Sequence, residues 1–243
     1  MLIDTLEDPR LEEKAIDSLL ARNVDGILLV PCGDNPSRLE ETMQKKPLLL
    51  IDRYFEGSDL PYVSTNNYEG AYQATKLLIE SGHERTLCIQ GPEASITSKE
   101  RVRGYREAIR DMGNPGCSMV RGNDFSIQNG YIETKLALAQ NTPPTAIFAL
   151  SNTILLGAMK ALNEHQIVIP EDISILSFDD NLYLDYLNPP VSRVVQPLES
   201  MGVMAVKMLM EEITGNVRLQ SKILLKPSII KKDSVKIFDY SLK

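Results

Sequence analysis

The 243-residue sequence predicts an α/β protein with more than one doubly wound parallel sheet. Three observations carry this. The apolar runs are short and rich in Val, Ile and Leu at successive positions, so both faces of each strand are buried, as in parallel sheets covered on both sides by helices. Segments of helical spacing alternate with those runs. The alternating units are also too many for a single sheet of this kind.

Taken in order, Asp8 caps a helix that starts at Pro9 and repeats Leu11, Ala15, Ile16 and Leu19 on one face. The run 26–30 is a strand ended by Pro31, and 48–51 repeats that pattern up to Asp52. After 62–65 comes a helix with Ala71, Ala74, Leu78 and Ile79 inward and Gly82 as its left-handed cap. Strands are expected at 86–90, 118–120 and 146–150, and helices at 99–112, 127–139 and 154–164. Met201, Met204, Ala205, Met208 and Leu209 mark a further helix stopped at Gly215, and 223–230 is the last strand.

The most informative stretch is Ile173 to Pro197. A buried strand ends there in Phe178-Asp179-Asp180, and in open α/β sheets the carboxyl ends of the strands are where ligands bind. Adjacent side chains on extended backbone point to opposite faces, so only one of the two carboxylates can face a given crevice. Pro189-Pro190 then forbids helix and turns the chain before Val191 restarts as a strand. A solvated turn is the competing reading of Asp179-Asp180.

Composition narrows the function. With 43% hydrophobic residues and no low-complexity run the chain is folded throughout. No stretch approaches the roughly 18 consecutive apolar residues of a membrane span, and the start lacks the basic and apolar segments of a signal peptide. Cys32, Cys88 and Cys117 have no paired spacing and read as reduced thiols, which places the protein in the cytoplasm. A net charge of −7 without a basic cluster argues against a grip on nucleic acid by these residues. No Gly-x-Gly fingerprint, phosphate loop or nucleophile elbow occurs. Two histidines, both read as surface-turn residues, leave no zinc site. No cofactor, metal or catalytic residue is expected.

A longer series of motifs does carry a function. Val24-Asp25-Gly26-Ile27-Leu28, Ile51-Asp52-Arg53, Gly82-His83-Glu84-Arg85 and Arg101-Val102-Arg103-Gly104-Tyr105 are followed by Pro144-Thr145-Ala146-Ile147-Phe148-Ala149. Then come Ile169-Pro170-Glu171-Asp172-Ile173-Ser174-Ile175, Phe178-Asp179-Asp180, Pro189-Pro190, Gln196-Pro197 and Lys232-Asp233-Ser234. In this order and spacing the chain resembles the effector-binding core of the LacI/GalR family of transcription regulators. The resemblance implies the type I periplasmic-binding-protein fold, with two α/β subdomains joined by three crossings that close over a small effector. The expected subdomains are 1–64 with 198–220, and 65–197 with 221–243.

The resemblance also implies effector contacts at Asp52, Thr65, Arg101, Phe125, Asn152, Asp179 and Gln196. These types suit a sugar: carboxylates accept from paired hydroxyls, Arg and Asn donate or bridge, and an aromatic ring packs on the apolar sugar face. Phe125 as a core aromatic and Arg101 as a solvated helix charge are the competing readings. Asn66 and Thr153 stand where the family usually has Asp, which removes charge near the site. The first strand and helix of the family core and its helix-turn-helix domain are expected to be missing, leaving a strand at Leu2 and an incomplete first subdomain. DNA would then be contacted only through a domain outside this chain, and a homodimer is expected. A transporter's solute-binding protein and a sugar-modifying enzyme that uses Asp52 and Asp179 as an acid/base pair are the alternatives.

Overall fold

A computed structural model describes residues 1–33, 35–113, 118–215 and 221–237. In chain order the elements begin with α1 (Pro9–Ala21), β1 (Ile27–Leu29), α2 (Ser37–Met43), β2 (Leu48–Ile51), β3 (Tyr62–Thr65) and α3 (Asn67–Glu80). They continue with β4 (Thr86–Ile89), α4 (Ile96–Asp111), β5 (Ser118–Arg121), α5 (Ile127–Leu138), β6 (Ala146–Ala149) and α6 (Asn152–Glu164). The last are β7 (Ser174–Phe178), a 3-10 turn at Leu182–Asp185, β8 (Ser192–Val195), α7 (Leu198–Ile213), β9 (Lys222–Leu225) and β10 (Ser228–Ile230).

The chain forms two compact units, one of Met1–Thr65 and Pro197–Leu225, the other of Asn66–Gln196 and Lys226–Lys243. The first holds a parallel sheet in the order β1-β2-β3-β9. Met201, Ala205, Met208 and Leu209 of α7 cover Leu49 and Val63 on one face. Ile16 of α1 and Leu39 of α2 meet Ile27, Leu48 and Leu50 on the other. As expected, Pro9 opens α1, and the Asp8 carboxylate accepts from the Arg10 backbone N–H at 2.8 Å.

Two expectations for this unit fail. No strand forms at Leu2, whose side chain is almost wholly exposed and gains nothing by pairing there. The single strand expected over 223–230 is two strands in two sheets. Pro227 has no N–H and holds Lys226 out of the helical region, so pairing stops. β9 stays with β3, while β10 runs antiparallel to β8. The crossing therefore falls after Leu225, because Lys222–Leu225 pairs residue by residue with Tyr62–Thr65. The boundary expected at 220, like Cys117, falls outside the described residues.

The second unit is a six-stranded sheet in the order β10-β8-β7-β6-β4-β5, parallel except for β10. α3 and α4 cover one face with Ala71, Ala74, Val102, Tyr105 and Ile109. α5 and α6 cover the other with Ala137, Ile154, Leu155 and Ala158. Each helix pair packs backbone to backbone at glycine: a Cβ on Gly104 would lie 2.2 Å from the Tyr68 carbonyl oxygen, and one on Gly157 2.0 Å from that of Ile127. α4 also begins a turn earlier than the sequence pattern suggests, at Ile96.

His83 is not a surface-turn residue. It is 1% exposed, with Nδ1 3.0 Å from Thr145 Oγ1 and Nε2 3.2 Å from the Lys236 carbonyl oxygen, and so ties the α3–β4 turn to the end of the described chain. Nearby, Ser234 fastens the same segment to the sheet. Its hydroxyl donates to the Ile175 carbonyl at 2.7 Å and accepts from the Ser192 N–H at 2.8 Å.

Two outcomes check this packing. Gly104→Ala should lower stability by about 3 kcal/mol or more, the high end of overpacking, whereas Gly202→Ala on α7, where a Cβ meets nothing within 4 Å, should raise it slightly. Urea denaturation measures both. The second outcome is pH-dependent. Burial pushes His83 down from its ordinary 6.5 to about 4, so between those values the unfolded chain holds a proton that the folded one does not. Its contribution is complete above pH 6.5 and is lost as pH falls toward 4, at about 1.4 kcal/mol per unit. His83→Gln should flatten the stability profile over that window.

Candidate functional site

The carboxyl end of the second unit's sheet gathers the polar side chains. Arg101, on the second turn of α4, is 4% exposed and cannot be a solvated helix charge. Its Nε donates to Asn67 Oδ1 at 2.8 Å and its Nη1 to the Leu150 carbonyl at 2.7 Å. Its guanidinium lies over the Phe178 ring, 3.7 Å from the centroid, and Nη2 stands 3.5 Å from Asp179 Oδ1. The same oxygen accepts from Gln196 Nε2 at 2.5 Å. Three expected site residues, Arg101, Asp179 and Gln196, are thus in direct contact.

Asp179 adopts φ +79°, a left-handed conformation open to Asp at modest cost, and this turns its carboxylate toward Arg101. Asp180 goes elsewhere. Its Oδ1 accepts from Arg193 Nε at 2.5 Å, and Arg193 forks onto Asp185 at 3.0 and 3.1 Å. Hydrogen bonds from Arg193, and then from Lys232, hold the Asp185 carboxyl below its ordinary value. Arg193 is 3% exposed, so this cluster pins the segment that leaves β7. The two adjacent carboxylates therefore have separate tasks, one in the polar cluster and one in a structural clamp.

Phe125 follows β5 and Asn152 follows β6, the two strands that flank β4. The Phe125 ring is half-buried against the α5–α6 core and covers Gly91, where an added Cβ would lie 2.3 Å from it. Its backbone carbonyl accepts from Thr153 Oγ1 at 3.0 Å. Asn152 opens α6, and its Oδ1 is buried without a hydrogen-bond partner among the described residues. In the first unit, Asp52 follows β2 with φ +69°, and Thr65 is the fully buried last residue of β3. The two unusual residues have local tasks: Asn66 caps α3 by accepting from the Glu69 N–H at 3.0 Å, and Thr153 holds the Phe125 loop.

Sequence reading missed Asn67. It is 3% exposed, and its partner Arg101 lies 34 positions away, so no local pattern marks it apart from the Asn-Asn pair at the start of a helix. The arrangement holds one buried cation with its donors largely committed and a carboxylate only partly withdrawn from water. It can accept hydroxyl hydrogens. Breaking it should be costly: Arg101→Leu leaves Asn67 Oδ1 and the Leu150 carbonyl without this donor and Asp179 without its cation, and a loss of about 3–5 kcal/mol is expected in urea denaturation.

Comparison with known proteins gives the arrangement a setting. Residues 75–235 match the model of a periplasmic binding protein-like domain. The ribose operon repressor of Haemophilus influenzae is 30% identical over 97% of this chain and 70% of its own length. A regulatory protein of the LacI family from Chloroflexus aggregans is 31% identical, with a TM-score of 0.83 over 91% of this chain and 80% of that one. The transcriptional regulator CelR in complex with cellobiose is 27% identical, with a TM-score of 0.82 over 93% and 71%. A domain model that spans most of the second unit, and repressors alike over nearly the whole chain, make this protein a member of the LacI-type transcription regulators that carry a periplasmic-binding-protein-like core.

Proposed function

We propose that this chain is the effector-sensing part of a LacI-type regulator and that its effector is a neutral sugar. The observation that carries this reading is the Arg101–Asp179–Gln196 cluster. The buried cation is matched by a carboxylate within the protein, so the site has no need of an anionic ligand. What it offers is hydrogen-bonding capacity beside an aromatic ring. Relatives named for ribose operon repression and a structural neighbour bound to cellobiose support the same class of ligand.

On this reading Asp52, Thr65, Arg101, Phe125, Asn152, Asp179 and Gln196 are the effector residues. The protein works in the cytoplasm as a homodimer, without catalysis. DNA is read by a helix-turn-helix segment outside these 243 residues. Effector binding shifts the population between forms of the core, and that shift is what the DNA-reading part senses. No helix among the described residues is long and apolar enough to cross a membrane.

Screening pentoses, hexoses, disaccharides and purines by thermal shift should find a sugar that stabilises the chain and is recovered chemically unchanged. Recovery of a converted product would overturn the regulator reading. Calorimetry with that sugar then tests the site. A hydrogen bond to a charged group is worth roughly 1.5–3 kcal/mol, so Asp179→Ala should weaken binding about tenfold to a few thousandfold. Asp180→Ala, which disturbs only the Arg193 clamp, should leave binding within about threefold, the effect of a few tenths of a kcal/mol. The reverse order would mean that the other carboxylate faces the ligand.

A further inference from the structure

Beyond the expected contacts, one side chain at this end of the sheet has chemistry that the fold leaves unused. Tyr183 lies in the 3-10 turn Leu182–Asp185 that follows β7. Its ring is half-buried, and its hydroxyl is shielded from solvent without a hydrogen-bond partner among the described residues. A hydroxyl in that condition destabilises the free chain until a partner reaches it.

The turn does not let the ring swing out. Leu184, the next residue, is fully buried, and its carbonyl accepts from the Val191 N–H at 3.0 Å. Arg193 holds Asp180 before the tyrosine and Asp185 after it. The ring itself packs against the α5–α6 core, as that of Phe125 does. Burial, and then the charge of Asp179, push the phenol above its ordinary pKa. The hydroxyl therefore keeps its proton and feels the Asp179 carboxylate, yet no hydrogen bond joins the two.

An ionised Asp179 can only accept, while Arg101 Nε, Arg101 Nη1 and Gln196 Nε2 already donate to groups of the protein. A sugar hydroxyl has two sides. It gives its hydrogen to a carboxylate and still offers lone pairs that a donor can engage. We infer that Tyr183 is a further effector residue, donating to the oxygen of the hydroxyl that Asp179 holds. This rests on the sugar reading and adds a requirement on the effector: the group that meets Asp179 carries an acceptor as well as a hydrogen. Tyr183 also has opposite effects in two states, as an unsatisfied polar group in the free chain and as a donor in the complex.

Tyr183→Phe removes only the hydroxyl and tests both states. Without sugar, its midpoint of thermal unfolding should be unchanged or about 2–4 °C higher. A fall of that size means that the hydroxyl is already satisfied within the fold, and it overturns the proposal. Calorimetry follows with D-ribose, the sugar for which the Haemophilus influenzae relative is named, or with another sugar of the screen if the unaltered chain binds that one instead. Tyr183→Phe should bind about two- to tenfold more weakly than the unaltered chain, the worth of one neutral hydrogen bond. Tyr186→Phe, beside the same turn but exposed to water, should bind as the unaltered chain does. Unchanged binding by Tyr183→Phe means that only water meets its hydroxyl, and equal losses in both variants mean a general disturbance of the turn; either result removes Tyr183 from the site and leaves the sugar reading standing. If the unaltered chain binds no sugar at all, the sugar reading fails, and the role of Tyr183 fails with it.

Discussion

A guanidinium that is almost wholly withdrawn from water must be matched on every side, and Arg101 sets that requirement for the second unit. An unpaired ion in the interior costs several kcal/mol, so the fold has to deliver an acceptor to each face of the group. It does so from separate parts of the chain. Asn67 comes from the start of α3, the Leu150 carbonyl from the end of β6, and Phe178 and Asp179 from the end of β7. Parallel strands bring these together, because their carboxyl ends share one edge. The close crossing of α3 and α4 does the rest. Gly104 lets the Tyr68 backbone approach, and Tyr68 is the neighbour of Asn67. One missing methyl group thus governs whether a buried charge is satisfied one helical turn away.

The neighbouring carboxylates show how the same backbone sends two adjacent charges to different partners. Asp179, in its left-handed conformation, turns into the polar cluster. Asp180 joins Arg193 and, through it, Asp185 and Lys232. This clamp fixes the exit from β7 without drawing on the Asp179 charge. Ser234 and His83 secure the far end of the same sheet, so β7 is held from both directions.

How much of this the sequence disclosed depends on whether the cause was local. Apolar runs on both faces, the Asp8-Pro9 helix start and the carboxylates after β2 and β7 follow from short-range rules, and their positions were legible. The seven-residue helix α2 was not, since Leu39 is its only large buried apolar side chain and no periodicity can develop. The break at Pro227 was readable in principle, but the apolar residues on either side of it look like one strand until the two sheets are known. His83 looked like a turn residue because its partners, Thr145 and Lys236, lie 62 and 153 positions away. Asn67 and the saturation of Arg101 are likewise long-range facts. Only family resemblance brought Phe125, Asn152 and Gln196 into view, whereas their contacts required the fold.

The central claim is that Asp179, matched by the buried Arg101, is the carboxylate that receives a sugar. The most direct test is a crystal structure of this chain grown with D-ribose or with the sugar found by screening. The account predicts electron density for the sugar with two of its hydroxyls on the Asp179 carboxylate, and Arg101 still stacked on Phe178. A sugar bound without contact to Asp179, or an Arg101 released from Asn67 and the Leu150 carbonyl to reach it, would contradict the account.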